Sequence, residues 1–211
     1  MPGSLSALQV RVLRALAALS PRWTLTGGGA LAGFHLAHRK TKDVDLFFHG
    51  LAALERLPED AAAALRADGM SVDYLQRAPA FCRLRADLDG EVVIVDLVAE
   101  PVPNVFPPEP RGVEAVEILV DSRAEILVKK LGALYSRSEI RDLVDVKALV
   151  EAGEDLDRAL GLVSRKDGGF SPPNLAWVLR TLNVTALAKA DGYEASGLLA
   201  FRDRLVDRLL G

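Results

Sequence analysis

The chain has 211 residues, of which 50% are hydrophobic and 26% charged, with a formal net charge of −3 and one cysteine. That composition describes a globular protein with a substantial core. It excludes an intrachain disulfide, because Cys82 has no partner, and a broad nucleic-acid-coating surface, leaving room only for a local basic groove. No window reaches about 18 consecutive apolar residues, so no membrane span is expected. Arg11 and Arg14 interrupt an N-terminal stretch that is periodic rather than uniformly apolar, so a cytoplasmic protein without a signal peptide is expected.

Taken in chain order, Ser4 to Ser20 reads as an amphipathic helix with Val10, Val12, Leu13, Leu16 and Leu19 on its apolar face, ended by Pro21. A short strand over Trp23 to Thr26 runs into Gly27, Gly28 and Gly29, and Gly29 to His38 is helical in pattern. Asp43 to Phe48 is a strand. "LAALERLPEDAAAALRADG" reads as a helix broken or kinked at Pro58, with Gly69 as its stop. "SVDYLQ", "AFCRLRADL" and "EVVIVDLVAE" are three strands, the last two joined at Asp89-Gly90, a strong hairpin signal. Residues Pro101 to Arg111 hold five prolines and read as an ordered loop. "EILV" is a final strand. Five helices follow: Ser122 to Ser136, Glu139 to Ala152, Asp155 to Val163, Pro172 to Leu182 and Glu194 to Leu210. Strands mixed with helices in the first half and helices alone in the second suggest an α/β module over residues 1–120 and a helical module over 121–211.

Two aspartates stand out at the head of the second strand. Residues two apart share a face, so Asp43 and Asp45 project together while Val44, Leu46 and Phe48 project the other way. Held that close, two carboxylates call for a cation, and oxygen-ligated Mg²⁺ is the simplest one. An isolated D-x-D more often caps amides in a surface turn. Asp96 shifts that balance, because a carboxylate inside "VVIVDLVA" is costly unless paired or metal-bound. Three aspartates on neighbouring strands form an acidic set suited to metal-dependent phosphoryl transfer. The glycines follow a strand and open a helix, which lets backbone amides approach phosphate oxygens. There is no P-loop signature, and the paired aspartates do not fit a dinucleotide-binding fingerprint. In the second half Lys130, Leu134 and Arg137 fall at i, i+4 and i+7, a cationic stripe on a helix leading to Asp142.

Glycine turn, short helix, D-x-D strand and a later strand aspartate resemble the polymerase-β-like nucleotidyltransferase superfamily. More narrowly, "LTGGGALAGFHLAHRKTKDVDLFF" and "EILVKKLGALYSRSEIRDLVDVKAL" resemble the two signatures of the AbiEii/AbiGii nucleotidyltransferase toxins, the group that includes the MenT toxins. The resemblance implies an α+β fold, a mixed sheet with flanking helices followed by a helical C-terminal module. It makes Asp43, Asp45 and Asp96 ligands of Mg²⁺ or Mn²⁺, gives Gly27 and Gly28 the triphosphate, and places the hydroxyl of Thr41 just ahead of D-x-D. Lys130, with Lys129 as the alternative, contacts nucleotide phosphate, and Asp142, or Asp145, is the acid of the last motif. Implied too are an NTP substrate, a cognate antitoxin and, as in some relatives, the 3′ end of tRNA as acceptor. A protein or small-molecule acceptor, and a nucleotide- or partner-binding protein without turnover, are the alternatives. His35 and His38 are read as packing or capping residues, Trp23 and Trp177 as core or interface residues, and Cys82 as a small buried hydrophobe.

Overall fold

The structure, a computed structural model, describes residues 4–211 and divides into two compact units, one ending at Ser122 and one running from Arg123 to Gly211. In the first unit, helix α1 (Ala7–Leu16) opens on a capping box: Ser6 Oγ accepts from the Gln9 amide while the Gln9 side chain accepts from the Ser6 amide. It buries Leu8, Val12, Leu13 and Leu16. The helix ends before Leu19, earlier than the periodicity predicts.

Strands β1 (Thr24–Thr26), β2 (Asp43–His49), β3 (Ser71–Ala78), β4 (Phe81–Leu88), β5 (Glu91–Glu100), β6 (Glu109–Val113) and β7 (Val116–Val120) form one mixed sheet, ordered β3-β4-β5-β2-β1-β7-β6. The parallel pairs are β2 with β5 and β1 with β7; the other neighbours are antiparallel. Alternation sets the two faces. Val44, Leu46, Phe48, Cys82, Leu84, Val95 and Leu97 are fully buried on one, while Asp43, Asp45, Arg83 and Asp96 lie on the other. Each fully buried aliphatic or aromatic side chain contributes about 1.5–3 kcal/mol.

Three connections differ from the sequence reading, and a fourth agrees with it. Gly27–Ala30 (α2) continues into a wider π-helical stretch, Leu31–His35, closed by the Leu36 amide on the Leu31 carbonyl, and Ala37, at φ +47°, ends it before His38. Pro58 does not kink a helix. It sits in the first turn of α3 (Leu57–Ala67), where an amide N–H is not needed, and Leu51 to Arg56 is not helical. The end of the proline-rich segment is strand β6, which accommodates Pro110 because it is the edge strand. The Asp89-Gly90 turn has both residues at positive φ, +52° and +84°, the geometry of a type I′ hairpin.

The second unit is helical: α4 (Arg123–Arg137), α5 (Ile140–Glu151), α6 (Leu156–Val163), α7 (Pro172–Thr181), α8 (Val184–Ala190) and α9 (Ala195–Leu210). Helix α8 has no counterpart in the sequence reading; Asn183 caps it by accepting from the Ala186 amide at 3.2 Å. Among the described residues no helix is long and apolar enough to cross a membrane.

Because Leu46 is fully buried beneath the strand that carries both aspartates, Leu46→Ala is expected to lower stability by about 2–5 kcal/mol in urea denaturation. A loss below about 1 kcal/mol would show that this face of the sheet is not the core.

Candidate active site

Register brings the acidic residues together. Asp45 lies opposite Asp96 on the parallel neighbour β5 and opposite Thr26 on β1, and Asp43 shares its face two residues back along β2. Directly opposed positions on adjacent strands are about 4.8 Å apart, so the three carboxylates crowd one patch of sheet. Asp96 is 5% exposed.

One cation already answers that charge. Arg83 of β4 lies opposite Asp96, and its guanidinium donates from Nε to Oδ1 at 2.8 Å and from Nη2 to Oδ2 at 2.7 Å. This is the two-pronged geometry that makes arginine–carboxylate pairs strong. The hydrogen bonds to Asp96 raise the guanidinium pKa further above its ordinary value, against burial, and the charges of Asp96, Asp43 and Asp45 add to the rise. Arg83 was not singled out in the sequence, although the hairpin contained the signal: counting back from Asp89-Gly90 puts residue 83 opposite residue 96.

The glycine turn borders the same patch. Gly27 has φ +62°, and a Cβ there would stand 2.4 Å from Asp45 Oδ2. At Gly28 a Cβ would meet Arg39 Nη2 at 2.8 Å and Thr41 Oγ1 at 3.2 Å. The bare backbone is thus walled by a carboxylate on one side and by a guanidinium and a hydroxyl on the other. Gly29 instead packs on the β2 backbone, where its Cβ would be 3.2 Å from the Asp43 carbonyl. The loop carrying Arg39 and Thr41 is tied to α1 by the Gln9 side-chain amide, which donates to the Thr41 carbonyl at 3.1 Å. Arg39 lies in irregular backbone, where no periodicity could point to it.

Carboxylate oxygens suit a hard divalent cation such as Mg²⁺ or Mn²⁺. Asp43 and Asp45 supply such donors beside a turn kept clear of side chains. Among the described residues no three His, Cys, Asp or Glu side chains converge as a ready-made cation cage, and both oxygens of Asp96 are engaged by Arg83.

In the second unit Lys130 is 6% exposed, and its Nζ lies 2.7 Å from both Asp142 Oδ1 and Asp145 Oδ2. The two aspartates are three apart on one face of α5 and fully buried. Arg137 adds a second cation to Asp142, from Nε at 2.8 Å and from Nη2 at 2.9 Å. Burial works to raise the pKa of Asp142, but the hydrogen bonds from Arg137 and the charge and hydrogen bond of Lys130 hold it below the ordinary carboxylate value. The buried position thus belongs to Lys130, with Lys129 half-buried beside it, and Asp142 and Asp145 both hold that lysine.

The remaining candidates have structural surroundings. His35 Nε2 is 2.8 Å from the Asp121 carbonyl. The Trp23 indole donates to the Leu16 carbonyl at 2.7 Å. Cys82 is fully buried and burial pushes its thiol pKa up. Trp177, expected in a core or interface, is 69% exposed.

A family model described as the nucleotidyl transferase AbiEii toxin of type IV toxin–antitoxin systems matches residues 11–208. The chain belongs to the AbiEii nucleotidyltransferase toxin family. No curated protein sequence matches this AbiEii chain significantly. Among solved structures it is similar to MenT4, a nucleotidyltransferase toxin of Mycobacterium tuberculosis, at 16% identity and TM-score 0.64, over 96% of this chain and 80% of that one. It is also similar to JHP933 of Helicobacter pylori, at 16% identity and TM-score 0.58, over 98% and 93%. A nucleotidyltransferase-like protein of Paracoccidioides brasiliensis matches at 17% identity and TM-score 0.50, over 89% and 99%. These likenesses show a shared fold, and the family makes this AbiEii chain a nucleotidyltransferase.

Two predictions follow from the site's geometry. Gly27→Ala must strain a left-handed backbone, at about 1–2 kcal/mol, and push Asp45 aside, so nucleotide transfer is expected to fall far more than stability does; transfer at the wild-type rate would contradict this. Lys130→Met removes the cation that two buried carboxylates share, leaving Asp142 to Arg137, and is expected to cost about 3–5 kcal/mol at pH 7. Since the folded pKa of Asp142 is lowered, its stabilisation is intact above about pH 3.9 and lost as pH falls through the folded value. In Lys130→Met the Asp142 carboxyl loses one of the charges that hold its pKa down, so the deficit should shrink as acid is added, measured by denaturation from pH 7 to 4; a pH-independent deficit would refute it.

Proposed function

We propose that this nucleotidyltransferase moves NMP from an NTP to an acceptor hydroxyl, with Asp43, Asp45 and Asp96 as the metal-binding acids, and that it acts as the toxin of a pair with a cognate antitoxin. The observation that carries the reading is the register of Asp45 against Asp96, with Asp43 on the same face, beside a turn that only glycine can occupy.

In this reading Gly27 and Gly28 let backbone amides reach the triphosphate, and Thr41 and Arg39 border it. Lys130 keeps the phosphate-contacting role that the family resemblance implies, its ammonium fixed by Asp142 and Asp145. Asp43 and Asp45 would hold Mg²⁺ or Mn²⁺, which when bound supplies charge neutralisation at the reacting phosphoryl group. Asp96 accepts a hydrogen bond from the acceptor hydroxyl and orients its oxygen. That oxygen passes its proton to the Asp96 carboxylate and bonds to the α-phosphorus as the bond from phosphorus to the bridging oxygen breaks, and pyrophosphate leaves with the electron pair. The acceptor we infer is RNA, specifically the 3′ end of tRNA, in line with the resemblance.

Incubation with each α-phosphate-labelled NTP, Mg²⁺ and total RNA, then a denaturing gel, tests this. Label is expected on tRNA-sized bands and is expected to drop about a hundredfold or more in Asp45→Ala. Label on a protein or small-molecule pool instead would overturn the RNA acceptor. No label in any pool, with NTP binding unaffected by Asp45→Ala, would overturn the catalytic reading in favour of a binding role.

A further inference from the structure

We propose that Arg83 is the resting counter-ion of Asp96, a positioning residue that holds this carboxylate in place and gives it up to the divalent cation as the site loads. This rests on the assignment of Asp96 to cation binding made above.

Burial is the first reason. Asp96 is 5% exposed, and an unpaired carboxylate so placed is costly. Arg83 is the cation that accompanies it in the fold, engaging both oxygens. Exclusivity is the second. A guanidinium and a divalent cation on one carboxylate repel each other, so occupancy by one weakens the other, and that coupling is reciprocal.

Release is physically accessible. The Arg83 side chain is 40% exposed against 8% for its partner, so water can take over its donors when it swings away. The face of Phe81, whose ring centroid is 5.7 Å from Arg83 Cζ, already lies beside the guanidinium while it holds Asp96. Asp96 has no such freedom. The partner that moves is therefore arginine, and the carboxylate stays in register with Asp45 throughout.

Mn²⁺ binding without nucleotide, followed by calorimetry and by electron paramagnetic resonance of the free ion, tests the exchange in the full-length protein. Arg83→Gln is expected to bind Mn²⁺ about tenfold more tightly than wild type, with a smaller gain in Arg83→Lys, whose ammonium cannot clasp both oxygens. In an Asp96→Asn background the gain should vanish, which a merely structural role for Arg83 would not produce. Without metal, Arg83→Gln should unfold at lower temperature than wild type and recover more on adding Mn²⁺. Equal or weaker Mn²⁺ binding in Arg83→Gln, while wild-type binding still depends on Asp45, would overturn the exchange and leave the cation site standing. Wild type without Asp45-dependent Mn²⁺ binding would overturn both. Should Arg83→Gln not fold, Arg83→Lys decides, since the same direction of change is required of it.

Discussion

Like charge at one level of a β-sheet is the constraint around which the N-terminal unit is arranged. Asp43, Asp45 and Asp96 lie on one face because period-two alternation puts Val44, Leu46, Val95 and Leu97 on the other, and parallel pairing of β2 with β5 sets Asp45 directly against Asp96. Left alone they would repel one another. Arg83, opposite Asp96 on the third strand, relieves the strain, and Gly27 leaves room for the Asp45 carboxylate where any side chain would collide with it. The buried face supplies the rigidity that keeps these groups together.

The C-terminal unit solves a related problem by a different route. Asp142 and Asp145 are fully buried on one helix face, and Lys130 and Arg137, about two turns apart along the preceding helix, neutralise them. Here Lys130 and the two aspartates are paired within the unit and removed from water, so each of these partners is costly to delete although the cluster as a whole adds little net stability. Its value is placement: a lysine held by two carboxylates has few rotamers left.

Much of this was legible in the sequence because it follows from alternation and turn chemistry. Asp43 and Asp45 on one face, Asp96 on a central strand and the Asp89-Gly90 hairpin all come from local rules. Arg83 was legible too, by counting register from that hairpin, but a cation among alternating residues reads as solvated surface unless the count is made. The parallel pairing of β2 with β5 was not legible, since it depends on β1 entering between β2 and β7. Strand β6 was hidden by its own Pro110, tolerated only because nothing pairs on that strand's far side. The meeting of both α5 aspartates with one lysine depends on how α4 and α5 pack. Arg39 sits in backbone with no period at all, so only coordinates bring it to Gly28.

The most direct measurement is a crystal structure with Mn²⁺ and a non-hydrolysable NTP analogue, with the metal located by its anomalous signal. The account predicts an anomalous peak within about 2.0–2.6 Å of carboxylate oxygens of Asp43 and Asp45, with Asp96 turned to the ion and Arg83 withdrawn from it. A peak elsewhere, or an ion at Asp43 and Asp45 with Arg83 still clasping both oxygens of Asp96, would contradict it.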